Sequence, residues 1–75
     1  MTTMRFNYSL VQRLGFDAYV SNVVVNLIED GLLHDGYRFE NETYSLGVDL
    51  IKDKYLVTVR AYVASMGWQT AEIAV

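Results

Sequence analysis

The stretch that decides the fold is residues 37–75, YRFENETYSLGVDLIKDKYLVTVRAYVASMGWQTAEIAV, in which apolar and polar residues alternate over long runs. Alternation with a period of two indicates β-strands that bury one face. Three short segments interrupt the alternation and predict turns, namely residues 41–42, 52–53 and 65–67. The segment therefore predicts a four-stranded antiparallel meander.

The three turns fix three registers, and the registers can be checked against one another. A two-residue turn at 41–42 sets Phe39 opposite Tyr44, and a tight turn at 52–53 sets Leu50 opposite Tyr55. A three-residue loop at 65–67, with a left-handed Gly67 as its last residue, sets Ala61 opposite Ala71. All three registers place apolar residues on the same face of the sheet, and a slip of one residue would lose that agreement.

Residues 17–29 predict one amphipathic helix that packs on the apolar face of the sheet. Asp17 is suited to cap its N-terminus, and Gly31 stands where a left-handed glycine ends a helix. The apolar residues of this segment have the spacing of a single helical stripe: Phe16, Tyr19, Val20, Val23, Val24, Leu27 and Ile28.

The N-terminal segment has two interpretations. Residues 4–10 alternate, which favours an additional strand and the order β-α-β-β-β-β. The alternative is a short helix capped by Ser9, with Leu10, Val11 and Leu14 inside it and Gly15 at its end. In either case residues 1–75 are predicted to form a single small α+β domain.

Composition excludes several classes of protein. Of the 75 residues 52% are hydrophobic, which is too many for a disordered chain, and neither cysteine nor proline is present. The charge-free stretch 18–28 is only 11 residues long, whereas a transmembrane helix needs about 20 apolar residues. No secretory signal is recognisable, so we expect a cytoplasmic protein that does not contact a membrane.

Acidic residues are concentrated in one window of the chain. Residues 29–49 hold six carboxylates and a single arginine, whereas the net charge of the chain is only −3. Such a window suits a basic partner surface and accelerates association with it. Trp68, near the last turn, is a further candidate anchor for a partner. The predicted partner-binding residues are Glu29, Asp30, Asp35, Glu40, Glu42 and Trp68.

The function predicted from these features is a small, non-enzymatic acidic protein that acts by protein–protein contact. At the level of class alone, the profile is typical of phage-encoded inhibitors that occupy a basic nucleic-acid-binding site of a larger machine. The alternative is a homo-oligomer, for instance a homodimer, with a structural or regulatory role, in which the open sheet edges at 37–40 or 69–75 pair across a two-fold axis.

Direct nucleic-acid binding is disfavoured. It would use the outer sheet face, where the registers predict a row of Arg38, Ser45 and Arg60, with Tyr62 beside it. The same registers set Arg60 opposite Glu72, so that an ion pair would neutralise the arginine. The overall acidity of the chain is also opposite to that of most nucleic-acid binders.

No catalytic, cofactor or metal site is predicted. His34 is the single histidine of the chain, and no nucleophile accompanies it in a recognisable motif. The carboxylates of residues 29–35 lack the spacing of a calcium-binding loop. A small pocket between the helix and the sheet, able to bind a metabolite, stays open as a further alternative.

Overall fold

The computed structural model describes residues 8–75 and contains two helices followed by four strands. The helices are α1 (Tyr8–Leu14) and α2 (Phe16–Glu29). The strands are β1 (Arg38–Glu40), β2 (Tyr44–Ile51), β3 (Lys54–Val63) and β4 (Gly67–Ala74). They form one antiparallel sheet in the order β1-β2-β3-β4, which confirms the predicted α+β fold and its meander.

The prediction of an N-terminal strand is wrong where it can be compared, because residues 8–10 belong to helix α1. Residues 4–7 lie outside the described part of the chain. Val11 on this helix is buried in the core, so packing favours the helical spacing over local alternation. Gly15, with a φ of 96°, ends α1, and its N–H donates to the Val11 carbonyl at 2.9 Å.

Helix α2 follows the prediction closely, with corrections at its two ends. Asp17 lies in the first turn and is not the cap; Gly15 holds that position without a side-chain hydrogen bond. Ile28, predicted to be in the buried stripe, is 55% exposed; it lies one turn after the exposed Val25, beside the stripe and not within it. The stripe residues that are buried, as predicted, are Phe16, Tyr19, Val20, Val23, Val24 and Leu27.

The C-terminus of α2 is a Schellman motif, as the position of Gly31 predicts. Gly31 has a φ of 71° and donates its N–H to the Ile28 carbonyl. The Leu32 N–H donates to the Leu27 carbonyl at 2.8 Å. Both bonds satisfy carbonyl groups that a helix end otherwise leaves without partners, and they turn the chain back towards the sheet.

The central pair of strands has the predicted register. Leu50 faces Tyr55, Val48 faces Val57, and the turn between the two strands is at Lys52 and Asp53. Lys52 adopts a left-handed conformation with a φ of 58°, which is common in tight hairpin turns.

The two outer hairpins are each displaced by two residues from the predicted register. Phe39 faces Leu46 and not Tyr44, and Ala61 faces Gln69 and not Ala71. A displacement by two keeps every side chain on its predicted face, because side chains alternate with a period of two. The predicted fold is therefore correct despite both register errors, whereas the predicted cross-strand neighbours in these two hairpins are wrong.

The first hairpin differs because the Asn41 side chain builds its turn. Asn41 Oδ1 accepts hydrogen bonds from the backbone N–H groups of Thr43 at 2.8 Å and Tyr44 at 2.9 Å. The Asn41 N–H also donates to the Tyr44 carbonyl. The turn therefore occupies three residues, 41–43, and not the predicted two, with Asn41 as its first residue.

One core joins both helices to the inner face of the sheet, and α2 packs against β4 at its edge. No helix within residues 8–75 is long and apolar enough to cross a membrane. The strand residues buried in this core alternate along the sheet: Tyr44, Leu46, Val48, Val57, Val59, Ala61 and Val63.

Candidate interaction surface

The outer face of the sheet is the candidate surface, because neither helix of residues 8–75 packs on it. Every second residue of β4 points outwards and is exposed, and the outward residues Arg60 and Tyr62 of β3 are exposed too. Three basic and three acidic side chains occupy this face, so its formal charge is balanced. They are Arg38, Lys54, Arg60, Glu40, Asp49 and Glu72.

An aromatic cluster of Arg60, Tyr62 and Trp68 lies on this face. Tyr62 and Trp68 are cross-strand partners whose ring centroids are 5.5 Å apart in an edge-to-face arrangement. The guanidinium carbon of Arg60 lies 4.2 Å from the centre of the Trp68 ring, which is a cation–π contact. Tyr62 is 45% exposed and Trp68 is 47% exposed, so both rings are open to a partner.

The sequence did not predict this cluster, because it put Trp68 in the tip of the last hairpin. The turn occupies residues 64–66, and Trp68 is the second residue of β4. Gly67 has the predicted left-handed conformation, with a φ of 77°, but it begins the strand. Gly67 was the sequence feature that could have indicated the observed register, since a left-handed glycine fits the first position after a hairpin turn as well as the last position within it.

The predicted arginine row does not form. Arg38 faces Gly47 and not Ser45, whereas Ser45 faces Arg60 as predicted. Arg38 Nη2 binds the Asp49 carboxylate at 2.6 Å, and Arg38 Nη1 donates to the Val48 carbonyl at 2.9 Å. These contacts hold Arg38 against its own sheet, beside a shallow depression of about 630 Å³ above Gly47.

The predicted ion pair between Arg60 and Glu72 is wrong as well. Arg60 faces Thr70, and Glu72 faces Thr58, because the last hairpin is displaced by two residues. Arg60 therefore contacts the Trp68 ring, which lies diagonally across the strand pair.

The acidic window divides between the two ends of the sheet. We call the end that holds the turns 41–43 and 64–66 the aromatic end, and the end at Leu50 and the Lys52–Asp53 turn the distal end. The Tyr62 N–H donates to the Thr43 carbonyl, which holds the first turn, with Glu40 and Glu42, beside the aromatic cluster. Thus these two carboxylates border the cluster.

The remaining predicted acidic residues lie away from the cluster. The Leu50 N–H donates to Asp35 Oδ1 at 2.9 Å. Asp35 therefore lies at the distal end, where its carboxylate replaces a strand as the partner of this N–H. Glu29 and Asp30 end α2 and enter the loop that leads to Asp35. Leu50 and Tyr44 are six positions apart on β2, and this separates the two groups by roughly 20 Å.

His34 belongs to the same distal loop. Its ring packs edge-to-face on Tyr37, with ring centroids 5.7 Å apart, and its Nδ1 lies 3.2 Å from the Asp35 carbonyl oxygen. Among residues 8–75, no three His, Cys, Asp or Glu side chains group closely enough to hold a metal ion.

A second apolar feature lies on the outer face at the distal end. We call it the apolar hollow; it has a volume of about 380 Å³ and is lined by Ile51, Leu56 and Ala74, with Lys52, Asp53 and Lys54 at its rim. Ile51 is 53% exposed. The outer face thus carries an exposed aromatic cluster at one end and an apolar hollow at the other.

Comparison with known proteins adds no assignment. No protein-family model matches the sequence, and no curated protein or solved structure is significantly similar to it.

Proposed function

We propose that this chain is a non-enzymatic binding protein that acts by contact with another protein, through the aromatic end of its outer sheet face. The observation that carries the proposal is the exposed pair of Tyr62 and Trp68, with Arg60 over the Trp68 ring, on a sheet face without a covering helix. Tryptophan, tyrosine and arginine are the residue types that dominate binding energy in protein interfaces.

The charges around the cluster favour a partner with a basic surface. Glu40 lies in the same cross-strand row as Arg60, with Ser45 between them, which puts it about 10 Å away. Glu42 is exposed in the adjoining turn. The two carboxylates outnumber Arg60 at this rim, and the net charge of −3 attracts a basic partner from a distance.

We propose that three of the predicted partner-binding residues act at this surface, because they lie at its aromatic end: Glu40, Glu42 and Trp68. Inhibition at a basic nucleic-acid-binding site, as in phage-encoded inhibitors, is the specific form of the proposal that these carboxylates support, since they would stand where phosphates bind. Asp35 has a structural hydrogen bond instead, and Glu29 and Asp30 belong to its loop.

A nucleic-acid ligand is the competing occupant, and one observation favours it: Trp68 joins Tyr62 on an open sheet face, as the stacking rings of single-strand binders do. Against it, the outer face has balanced charge and Arg38 is bound to Asp49. A surface that binds phosphates needs an excess of free cations.

The test compares three baits, namely the wild type, Tyr62→Ala and Lys54→Ala, in affinity capture from nuclease-treated lysate of the source cells. Both substitutions are on the outer face of β3, at opposite ends of the strand. We expect a stoichiometric protein that is retained by the wild type and Lys54→Ala and lost with Tyr62→Ala. The double variant Glu40→Gln, Glu42→Gln should release the same protein at a lower salt concentration.

Two outcomes would overturn the proposal. The first is a protein set that is identical for all three baits, because the aromatic cluster would then have no part in binding. The second is a gel shift of single-stranded RNA or DNA at low salt that the Tyr62→Ala substitution removes, because the surface would then bind nucleic acid.

A further inference from the structure

The outer edge of β4 is the least protected strand edge of the described chain. Val75 and Tyr55 exchange both of their backbone hydrogen bonds, each 2.9 Å long. Because hydrogen-bonded and non-hydrogen-bonded pairs alternate in an antiparallel ladder, every second residue before Val75 also bonds to β3. The residues between them point their N–H and C=O groups away from the sheet: Trp68, Thr70, Glu72 and Ala74.

The two edges of the sheet differ in their protection. β1 is three residues long and has charged residues, Arg38 and Glu40, at both of its ends, which is a usual way to prevent edge pairing. β4 has eight residues, a single charged residue (Glu72) and no proline. A long edge of this kind is suited to pair with another strand.

We propose that β4 pairs antiparallel with β4 of a second copy of this chain, so that the two meanders form one continuous sheet. The pairing is centred on Ala71. It sets Trp68 opposite Ala74 of the second copy and Thr70 opposite Glu72 of the second copy. It does not rest on the proposed function, because the pairing uses backbone groups of β4. The two proposals share the Trp68 side chain, whereas Tyr62 lies on β3 and takes no part in the pairing.

This register is the one that satisfies the strand best. It engages all four outward residues of both copies, and its centre brings two small Ala71 side chains together. A pairing centred on Glu72 would set two carboxylates directly opposite each other, which is unfavourable. A pairing centred on Thr70 would set Ala74 opposite Met66, which belongs to the turn and not to β4.

The side chains of the outer face support the same register independently. Ala74 lines the apolar hollow, next to its cross-strand partner Leu56. Trp68 of the second copy, being opposite Ala74, would lie at the open side of this hollow. The exposed tryptophan of each copy thus meets the apolar hollow of the other, and the two-fold axis makes both contacts at once. The second copy therefore completes the environment of a side chain that is 47% exposed in the single chain.

The first measurement is the mass in solution by sedimentation equilibrium, for the wild type, Thr70→Pro and Thr70→Ala. Proline removes the outward N–H of Thr70, which makes no bond to β3, whereas alanine removes only the side chain. We expect twice the chain mass of 8.6 kDa for the wild type and Thr70→Ala, and the mass of one chain for Thr70→Pro. Circular dichroism verifies that the proline variant is folded.

Cross-linking tests the register even if the proline variant does not fold. The chain has no cysteine, so a single introduced cysteine can pair only with its copy. In this register the two Ala71 Cα atoms would be about 4.5 Å apart, within the range of a disulfide. The two Gln69 residues would be separated by about 13 Å, beyond that range. Mild oxidation should therefore link Ala71→Cys and leave Gln69→Cys, on the same face of β4, as a single chain.

Trp68 is the single tryptophan of the chain, so its fluorescence follows the contact with the apolar hollow. Dilution should shift the emission of the wild type to longer wavelength and leave that of Thr70→Pro unchanged. The mass of the wild type is measured over a 100-fold range of concentration that ends at its highest soluble value. A wild type with the mass of one chain at every concentration would overturn the pairing. A dimer that persists in Thr70→Pro, or links through Gln69→Cys and not Ala71→Cys, would overturn the edge or the register.

Discussion

The Asn41 side chain gives the sharpest test of how the first hairpin is held. Asn41→Ala removes the acceptor for the N–H groups of Thr43 and Tyr44 and for the Thr43 hydroxyl, at 2.8, 2.9 and 3.1 Å. A hydrogen bond contributes about 0.5–1.5 kcal/mol net, and less where water can replace the acceptor. Thr43 is exposed, whereas Tyr44 is 2% exposed. Loss of the partner of the Tyr44 N–H therefore lowers the free energy of unfolding more than loss of the partner of the Thr43 N–H.

The expected loss for Asn41→Ala is therefore about 1.5 kcal/mol of unfolding free energy, most of it from the Tyr44 N–H. For a chain of this size that lowers the melting temperature by roughly 6–12 °C. Urea denaturation followed by far-UV circular dichroism measures the free energy directly, provided that the slope with denaturant is unchanged.

Asn41→Asp is the matched control, because it keeps the Oδ1 acceptor and the length of the side chain. We expect it to stay within about 0.5 kcal/mol of the wild type at 0.15 M salt, where the repulsion from Glu40 and Glu42 is largely screened. Equal stability of the wild type and Asn41→Ala would refute the reasoning, since the turn would then be held by backbone conformation alone.

Three further predictions concern the core, the distal loop and the end of helix α2. Burial in the core, with Tyr44 beside it, raises the pKa of Tyr19 above its ordinary value of 10.0. Above pH 10 this tyrosine ionises first in the unfolded chain, so the free energy of unfolding of the wild type should fall by up to about 1.4 kcal/mol per pH unit. Urea titrations of Tyr19→Phe should lack that slope. Asp35→Ala should cost about 1 kcal/mol of unfolding free energy by removing the acceptor of the Leu50 N–H, and unchanged stability would contradict a structural role for this carboxylate. Gly31→Ala should lower the free energy of unfolding by about 1 kcal/mol, because the φ of 71° at this residue disfavours a side chain. The control in thermal melts is Gly47→Ala, whose added Cβ makes only ordinary contacts of 3.6 Å and longer. Equal losses for the two variants would contradict a role for the left-handed conformation of Gly31.

The fold could be predicted because its determinants repeat along the chain. The stripe of α2 has six buried positions at one spacing, and each strand adds several apolar residues to one face, so a single local error does not change the result. The N-terminal segment had no such repetition. Its alternation spans only a few residues, and the contact that makes it helical, the burial of Val11 in the core, depends on packing that a local pattern does not contain.

The candidate surface was harder to predict, because it depends on where two turns begin and end. Asn41 extends its turn through a side-chain acceptor, and Gly67 occupies a strand position although its conformation is that of a turn residue. Faces are insensitive to a displacement by two residues, but neighbours are not. The contact of Arg60 with Trp68 could be seen only once the register was known, and the division of the acidic window followed from the Asp35 contact to Leu50.

The shortness of β1 has a consequence for the proposed pairing of two copies through β4. Within residues 8–75, one long strand edge has outward backbone groups, of which the Trp68 carbonyl also accepts a hydrogen bond from Gln69 Nε2 at 3.2 Å. The other edge is reduced to three residues with charged ends. In the language of polymer chemistry, the sheet has a functionality of one. Monofunctional units end each other's growth after a single reaction, so the proposed strand pairing would stop at two copies and would not continue into a fibre. Lengthening β1 would be the change that converts a self-limiting assembly into an open one.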